Sequence, residues 1–379
     1  MVRSHESVVI IGGGIAGLAC ARRLHDRGQS FLVITENLGG RVRSSNDGAV
    51  NLGAYYVTRD YEHVNMFVER GRRIRRRPIL RGDEDGSFSR SDMPLFLHPA
   101  QFVRFNRLIR QFRRRYEAFK KVCRVTSQAQ AIRADPLLWE LYNEPATDFI
   151  QRNQIDDVAR HYLSPYAQGT AFAPLEKLTA FTMLVGVLPT IVPIFEYTFR
   201  FEDLTEGFDD SIVFDSVTRL TRSDGVHHLH TAGDESLTAD NVVVATPVGV
   251  SAQLLDLGPL KRPINAHMYL LKGSLRSPWA QASVSLFHEK DDTFAIAQQT
   301  GGEILFVSAS DHPDFTRYFA TWEVVEHHYW NPAFHLDGTA LLECDQGAGL
   351  FLIGDHNVCT LEDSYITGLF AADRILGGQ

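Results

Sequence analysis

Cysteine is scarce in this chain of 379 residues: Cys20, Cys123, Cys344 and Cys359 are scattered, with no CxxC pair. That pattern argues against a disulfide framework and fits reduced thiols in a cytoplasmic protein. No metal-ligand spacing is present. His327 and His328 are adjacent, so their side chains diverge on a helix or a strand, and no metal is expected. No apolar run reaches the roughly 18 residues of a membrane span. The longest apolar region, from Leu178 to Phe195, is interrupted by Pro189 and Pro193. Val8 to Ile11 is too short for a secretory leader and meets glycines at once. Excess positive charge is also lacking. The formal net charge is -8, which excludes nucleic-acid binding by the molecule as a whole. Low-complexity tracts and internal repeats are absent. Hydrophobic residues make up 44% and charged residues 22%, enough for a large core and two domains.

What is present begins at the N-terminus. Val8-Val9-Ile10-Ile11 reads as a buried parallel strand. Gly12-Gly13-Gly14-Ile15-Ala16-Gly17 follows, and a helix from Leu18 to Leu24 ends near Gly28. A second strand, Phe31 to Ile34, leads to Glu36, 19 residues after Gly17. Gly12 permits the tight turn, Gly14 lets a pyrophosphate approach bare backbone, and Gly17 lets the helix pack on the strand. The helix N-terminus, with Ile15 and Ala16, offers unpaired N–H groups and a positive dipole end. Glu36 is placed to accept hydrogen bonds from an adenosine ribose. The combination predicts a dinucleotide site.

Gly39-Gly40-Arg41-Val42 comes next. Far downstream, Asp224-Gly225-Val226 precedes Ala239 to Pro247, a strand ending in Ala245-Thr246-Pro247. Later still, Gly349-Leu350-Phe351-Leu352-Ile353-Gly354-Asp355 is followed by Glu362 and a helix from Ser364 to Leu376. In this order the segments resemble the flavin-containing amine oxidase and phytoene desaturase superfamily. The resemblance implies non-covalent FAD. Its backbone at Gly39, Gly40 and Arg41 would lie against the cofactor, Val217 would serve the adenine, and Asp355, after Gly354, would serve the ribityl chain. The C-terminal helix, carrying Glu362, would point its dipole at the flavin. Neither Cys344 nor Cys359 matches the family's linking cysteine. Only Asn37 and Leu38 separate Glu36 from Gly39, fewer residues than the family usually has there.

The resemblance also implies an α/β fold class. It comprises a Rossmann-like FAD-binding domain (residues 1–56, 205–255 and 340–379), with a parallel sheet, helices and a β-meander. An α+β substrate domain (57–204 and 256–339) carries a helical cap and an antiparallel sheet. Residues 57–204 read helical: Phe102, Phe105, Ile109, Phe112, Tyr116 and Phe119 recur at helical spacing. Alternating runs His267–Lys272, Ala282–His288, Phe294–Gln298 and Ile304–Ser308 read as strands.

The chemistry expected is transfer of a hydride equivalent from a C–N or C–C bond of a small organic substrate to flavin N5. Where many relatives place a lysine near N5, this chain offers Ala266 or His267, and His267 is a candidate base. Tyr329 and Trp330, ahead of Asn331-Pro332, are candidates for a wall of the flavin face. Thr360 replaces the aromatic residue the family often has two positions before the helix glutamate. Two alternatives stay open: a membrane-associated desaturase or isomerase of a hydrophobic isoprenoid-type substrate, and a flavin-binding protein without turnover. Residues 70–124 carry 17 Arg and Lys against five Asp and Glu, a net of +12 that leaves -20 on the rest. Arg72, Arg73, Arg75, Arg76 and Arg77 cluster there. So do Arg104, Arg107, Arg110, Arg113, Arg114 and Arg115 on the aromatic helix. The readings are a solvated face paired with acids, a contact with an anionic membrane or partner, or recognition of an anionic substrate. A homo-oligomer is compatible with the sequence.

Overall fold

Val8, Val9 and Ile10 are fully buried because their strand, Glu6–Gly14, has parallel neighbours on both sides. This is seen in a computed structural model, which describes residues 5–74, 79–82, 88–90 and 96–377. The strand lies between Leu32–Gly39 and Ser236–Val244 in an eight-stranded sheet. Ile212–Phe214 extends the sheet beyond Leu32–Gly39, and Leu350–Leu352 extends it beyond Ser236–Val244. Val217–Ser223 and Val226–Thr231 add an antiparallel meander. All eight strands come from residues 6–39, 212–244 and 345–352.

Helix Ile15–His25 covers one face of this sheet, and the C-terminal helix Leu361–Gly377 packs on it at backbone distance. A Cβ at Gly368 would stand 2.2 Å from the Ala16 carbonyl oxygen, so only glycine allows this crossing. The expected apolar stripe forms helix Pro99–Val122, which buries Phe105, Ile109, Phe112, Tyr116 and Phe119. Phe112, Tyr116 and Phe119 all meet Phe181 edge-on. Each such aromatic burial contributes about 1.5–3 kcal/mol. The same core holds much of the remaining cap, residues 128–192.

A seven-stranded sheet roofs the other side. Its order runs Phe319–Asp337, Arg262–Leu275, Ile304–Ser308, Thr293–Gln298, Val284–Leu286, Ile79–Gly82 and Phe88–Arg90. The four alternating runs all lie in or on strands of this sheet. Its longest strand, Phe319–Asp337, was not foreseen, since its burial does not alternate cleanly. The helical reading of 57–204 needs correction at its ends. Val57–Thr58, Val68–Ile74 and Ile194–Phe199 form a three-stranded sheet instead. The β-branched and aromatic residues there pair across strands rather than along a helix. Arg75, Arg76 and Arg77 lie outside the described residues.

Candidate active site

The glycine turn is built by close contact. Gly12 has φ +110°, and a Cβ there would stand 2.9 Å from the Ala245 oxygen. A Cβ on Gly17 would stand 2.0 Å from the Gly12 oxygen, so the helix rests on the turn itself. At Gly14 a Cβ would meet nothing within 4 Å, because the residue faces a cavity. The helix that follows has no side-chain cap and no acid in its first turn, which leaves its N-terminal dipole uncompensated. The neighbouring Gly13 amide is spoken for: it donates to Thr35 Oγ1 at 2.9 Å.

The cavity, of about 840 Å³, is continuous. Its lining includes Glu36, Asp215 and Val217, together with Gly12, Gly14, Ile15, Ala16, Gly39, Gly40, Arg41, Ala245, Gly354 and Asp355. Segments separated by more than 300 residues thus line one cavity. Gly17 acts from behind, through packing. Arg41 Nη2 meets Asp355 Oδ1 at 2.5 Å and Arg41 Nη1 donates to the Ala333 oxygen at 3.2 Å. Burial pushes the Asp355 carboxyl up, but Arg41 outweighs it and holds the group below its ordinary range.

Two expectations are corrected. Glu362 does not line the cavity. Its carboxylate accepts from the backbone N–H groups of Glu62 and His63, both at 2.8 Å, and of Val64 at 3.0 Å. It fastens the C-terminal helix to residues 62–64. Nor does His267 line the cavity, although its neighbour Met268 does. Alternation along Arg262–Leu275 sends the two side chains to opposite faces. His267 Nδ1 lies 3.0 Å from His327 Nε2, and its ring stacks on Tyr329 at 4.2 Å. Burial, then His327, pushes the His267 pKa down. Tyr329 and Trp330 do border the cavity. The Trp330 indole N–H donates to the Leu52 oxygen at 2.6 Å, which fixes the ring against Gly53.

The same cavity includes an apolar chamber that the sequence did not announce. Its walls are Tyr55, Tyr56, Phe172, Leu188, Pro189, Val192 and Phe334. The only signals were apolar residues shared with any core. Tyr55 is anchored through its hydroxyl to the Gly169 oxygen. Cys359 also lines the cavity; burial pushes its thiol up to about 12, so it stays protonated at neutral pH. A polar part of the lining, the polar arm, comprises Asp60, Tyr61, Arg113, Tyr116, Glu117 and Lys120. Its charges are matched: Arg113 Nη2 lies 2.5 Å from Asp60, and Lys120 Nζ lies 2.8 Å from Glu117. Behind it, Asp363 is buried and accepts from the Tyr116 and Thr360 hydroxyls. Burial pushes its carboxyl up to about 6.

Residues 10–70 match the family described as NAD(P)-binding Rossmann-like domain. Flavin-containing amine oxidase B of Mus musculus is 44% identical over 57 residues, which is 14% of this chain and 11% of that protein. The Bos taurus protein is 39% identical over 62 residues, 15% of this chain and 12% of that one. The match thus spans about a tenth of these curated relatives. Solved structures align over nearly the whole chain. A putrescine oxidase variant superimposes with TM-score 0.74 at 14% identity, covering 99% of this chain and all of that one, 100%. This chain has the fold of the flavin amine oxidases. Cyclohexylamine oxidase from Brevibacterium oxydans gives TM-score 0.67 at 14% identity, over 98% of both chains. A fatty acid isomerase from P. acnes gives 0.71 at 14% identity, also over 98% of both. Within this amine-oxidase fold, no helix among the described residues is long and apolar enough to cross a membrane.

Proposed function

We propose that the chain binds FAD non-covalently and oxidises a small, largely apolar amine. The observation that carries this reading is the single cavity joining the bare Gly14 turn to the aromatic chamber. Gly14 leaves open space where a pyrophosphate needs it, and Glu36 stands where a ribose needs an acceptor, so the residues present fit an adenine dinucleotide. Glu36 and Val217 would hold the adenosine, Gly14 to Ala16 the pyrophosphate, and Arg41 with Asp355 the ribityl chain. When bound, the flavin supplies a hydride acceptor.

The chain's own side chains position the substrate and keep water out. Tyr55, Phe172, Leu188 and Phe334 offer an apolar chamber to a carbon body. The acids of the polar arm are paired with Arg113 and Lys120, so no bare carboxylate awaits a second cationic group there. This favours a monoamine over a diamine. Tyr329 and Trp330 line the same cavity. The test is anaerobic: purified yellow protein is mixed with a panel of amines, amino acids and polyenes. Bleaching by apolar monoamines supports the reading. A flavin that cycles only with polyenes, or with nothing offered, refutes it.

A second reading, a desaturase or isomerase that takes an apolar substrate from a membrane, is favoured by one surface. Arg107, Arg110 and Arg114 lie along one side of helix Pro99–Val122 and have no ion-pair partner among the described residues. Phe96, Leu97 and Val103 nearby are 79%, 62% and 62% exposed. Basic and apolar groups together suit an anionic bilayer. The neighbouring arginines do not join this surface. Arg113 pairs with Asp60, and Arg115 with Asp135 at 2.5 Å. Arg104 donates to the Asn153 and Gln154 oxygens, and Arg72 pairs with Glu196. Sedimentation with anionic vesicles decides: protein left in the supernatant removes the second reading.

A further inference from the structure

Outside the cavity's lining, three side chains of metal-ligating type meet. His98 stands just before helix Pro99–Val122. Asp157 lies in helix Asp156–Val158, and His161 in the π-helical turn Ala159–Leu163. Each offers one ligand atom, and these atoms all lie within 4.8 Å of one another. None of the three residues lines the cofactor cavity. Sequence alone held no such spacing, because Asp157 follows His98 only after the whole long helix and three short ones.

The geometry is close to what an ion needs. His98 Nδ1 and Asp157 Oδ2 are 3.3 Å apart. Two ligands about 2.0–2.1 Å from a tetrahedral zinc ion stand roughly 3.3 Å from each other. That edge therefore already has the right length. Asp157 and His161 are four residues apart on a helical path, so they share one face. The two imidazole rings are parallel within 3°, their centroids 6.0 Å apart.

The carboxylate is held in place. Gln101 Nε2 donates to Asp157 Oδ2 at 2.7 Å, while Gln101 Oε1 accepts from the Asp157 and Val158 amides at 3.0 and 3.3 Å. Outer-shell partners of this kind orient first ligands and raise affinity. The His98 and Asp157 side chains are 29% and 37% exposed, so an ion can enter and water can complete the shell.

We propose that His98, Asp157 and His161 form a zinc-binding site with water in the fourth position. Two imidazoles and one carboxylate suit this ion, and three protein ligands leave one place open. Bound zinc would tie the start of the basic helix to the 156–163 segment of the cap.

The test uses the full chain, treated with a chelator and dialysed, then titrated with Zn²⁺ in competition with a chromophoric chelator. The expected result is one saturable equivalent and a rise in thermal midpoint on adding zinc. His98→Ala, Asp157→Asn and His161→Ala are each expected to weaken binding at least tenfold and to remove the thermal shift. Gln101→Ala is expected to weaken it by roughly tenfold. Circular dichroism checks that each variant folds. Should a variant fail to fold, Co²⁺ bound to the unaltered chain gives a separate readout, since a tetrahedral site intensifies its visible bands. The chain has 15 histidines, so adventitious binding has its own signature. An equivalent that survives in all three variants lies elsewhere and overturns the assignment. So does the absence of saturable binding, or a Co²⁺ spectrum no different from the hydrated ion.

Discussion

Substituting Gly14→Ala separates a cofactor cradle from a merely tight turn. Gly14 has φ -75° and ψ 176°, a conformation open to any L-residue. A Cβ there meets no protein atom within 4 Å. The cofactor-free protein thus loses nothing, and a less flexible unfolded chain stabilises it by about 0.4–1 kcal/mol. Binding fares differently. The added methyl projects into the space over which a pyrophosphate must reach the first-turn amides. Pushing the phosphates outward weakens about two hydrogen bonds to a charged group, worth roughly 1.5–3 kcal/mol each. The sum, roughly 3–6 kcal/mol, corresponds to a loss of at least about 100-fold in FAD affinity. The assay pairs a thermal melt of the cofactor-stripped protein with FAD titration followed by fluorescence quenching. The expected pattern is an unchanged or higher melting point with lost binding. A variant that binds FAD like the parent refutes the idea that phosphates pass over residue 14. A variant that melts well below the parent refutes the open-space reading. Gly12→Ala is the control: φ +110° and the Ala245 contact make it cost both stability and binding.

Glu36→Gln removes the charge facing the ribose and is expected to weaken FAD binding by roughly tenfold, as befits one charge-assisted hydrogen bond; equilibrium dialysis checks it. Gly368→Ala overpacks the helix crossing against the Ala16 oxygen and is expected to cost about 1–3 kcal/mol or more in chemical denaturation, with partial loss of bound flavin. Asp363 titrates at about 6 in the folded chain, above its ordinary 3.8, so the folded state holds a proton that the unfolded state has released. Stability then falls as pH rises from about 4 to above 6, by about 3 kcal/mol in total. Asp363→Asn is expected to flatten that slope; a melt-versus-pH series with the same slope in both proteins contradicts it.

How much was legible beforehand follows from the range of each signal. The turn from Gly12 to Gly17 and Glu36 were readable because their signal lies in a short stretch of strand, turn and helix. Gly40-Arg41, Val217, Ala245 and Asp355 needed the family resemblance, since only the folded chain brings them to one cavity. Two assignments failed on facing rather than on identity. His267 and Met268 are adjacent on one strand, and no local pattern tells which side faces the cavity. Glu362 sits on a helix whose inward stripe is nearly all-round, with Glu362 through Ala372 buried. Its partners at 62–64 lie 300 residues away. The chamber of Tyr55, Phe172 and Phe334 was invisible for a simpler reason. Apolar residues around a void have the same composition as apolar residues around a core.

The most direct measurement is the amount of FAD released when purified chain is heat-denatured, set against protein concentration. Close to one FAD per chain, with Gly14→Ala falling towards none while still folded, is the expected outcome. A cooperatively melting parent protein that carries no FAD and takes up none from excess would contradict the central claim.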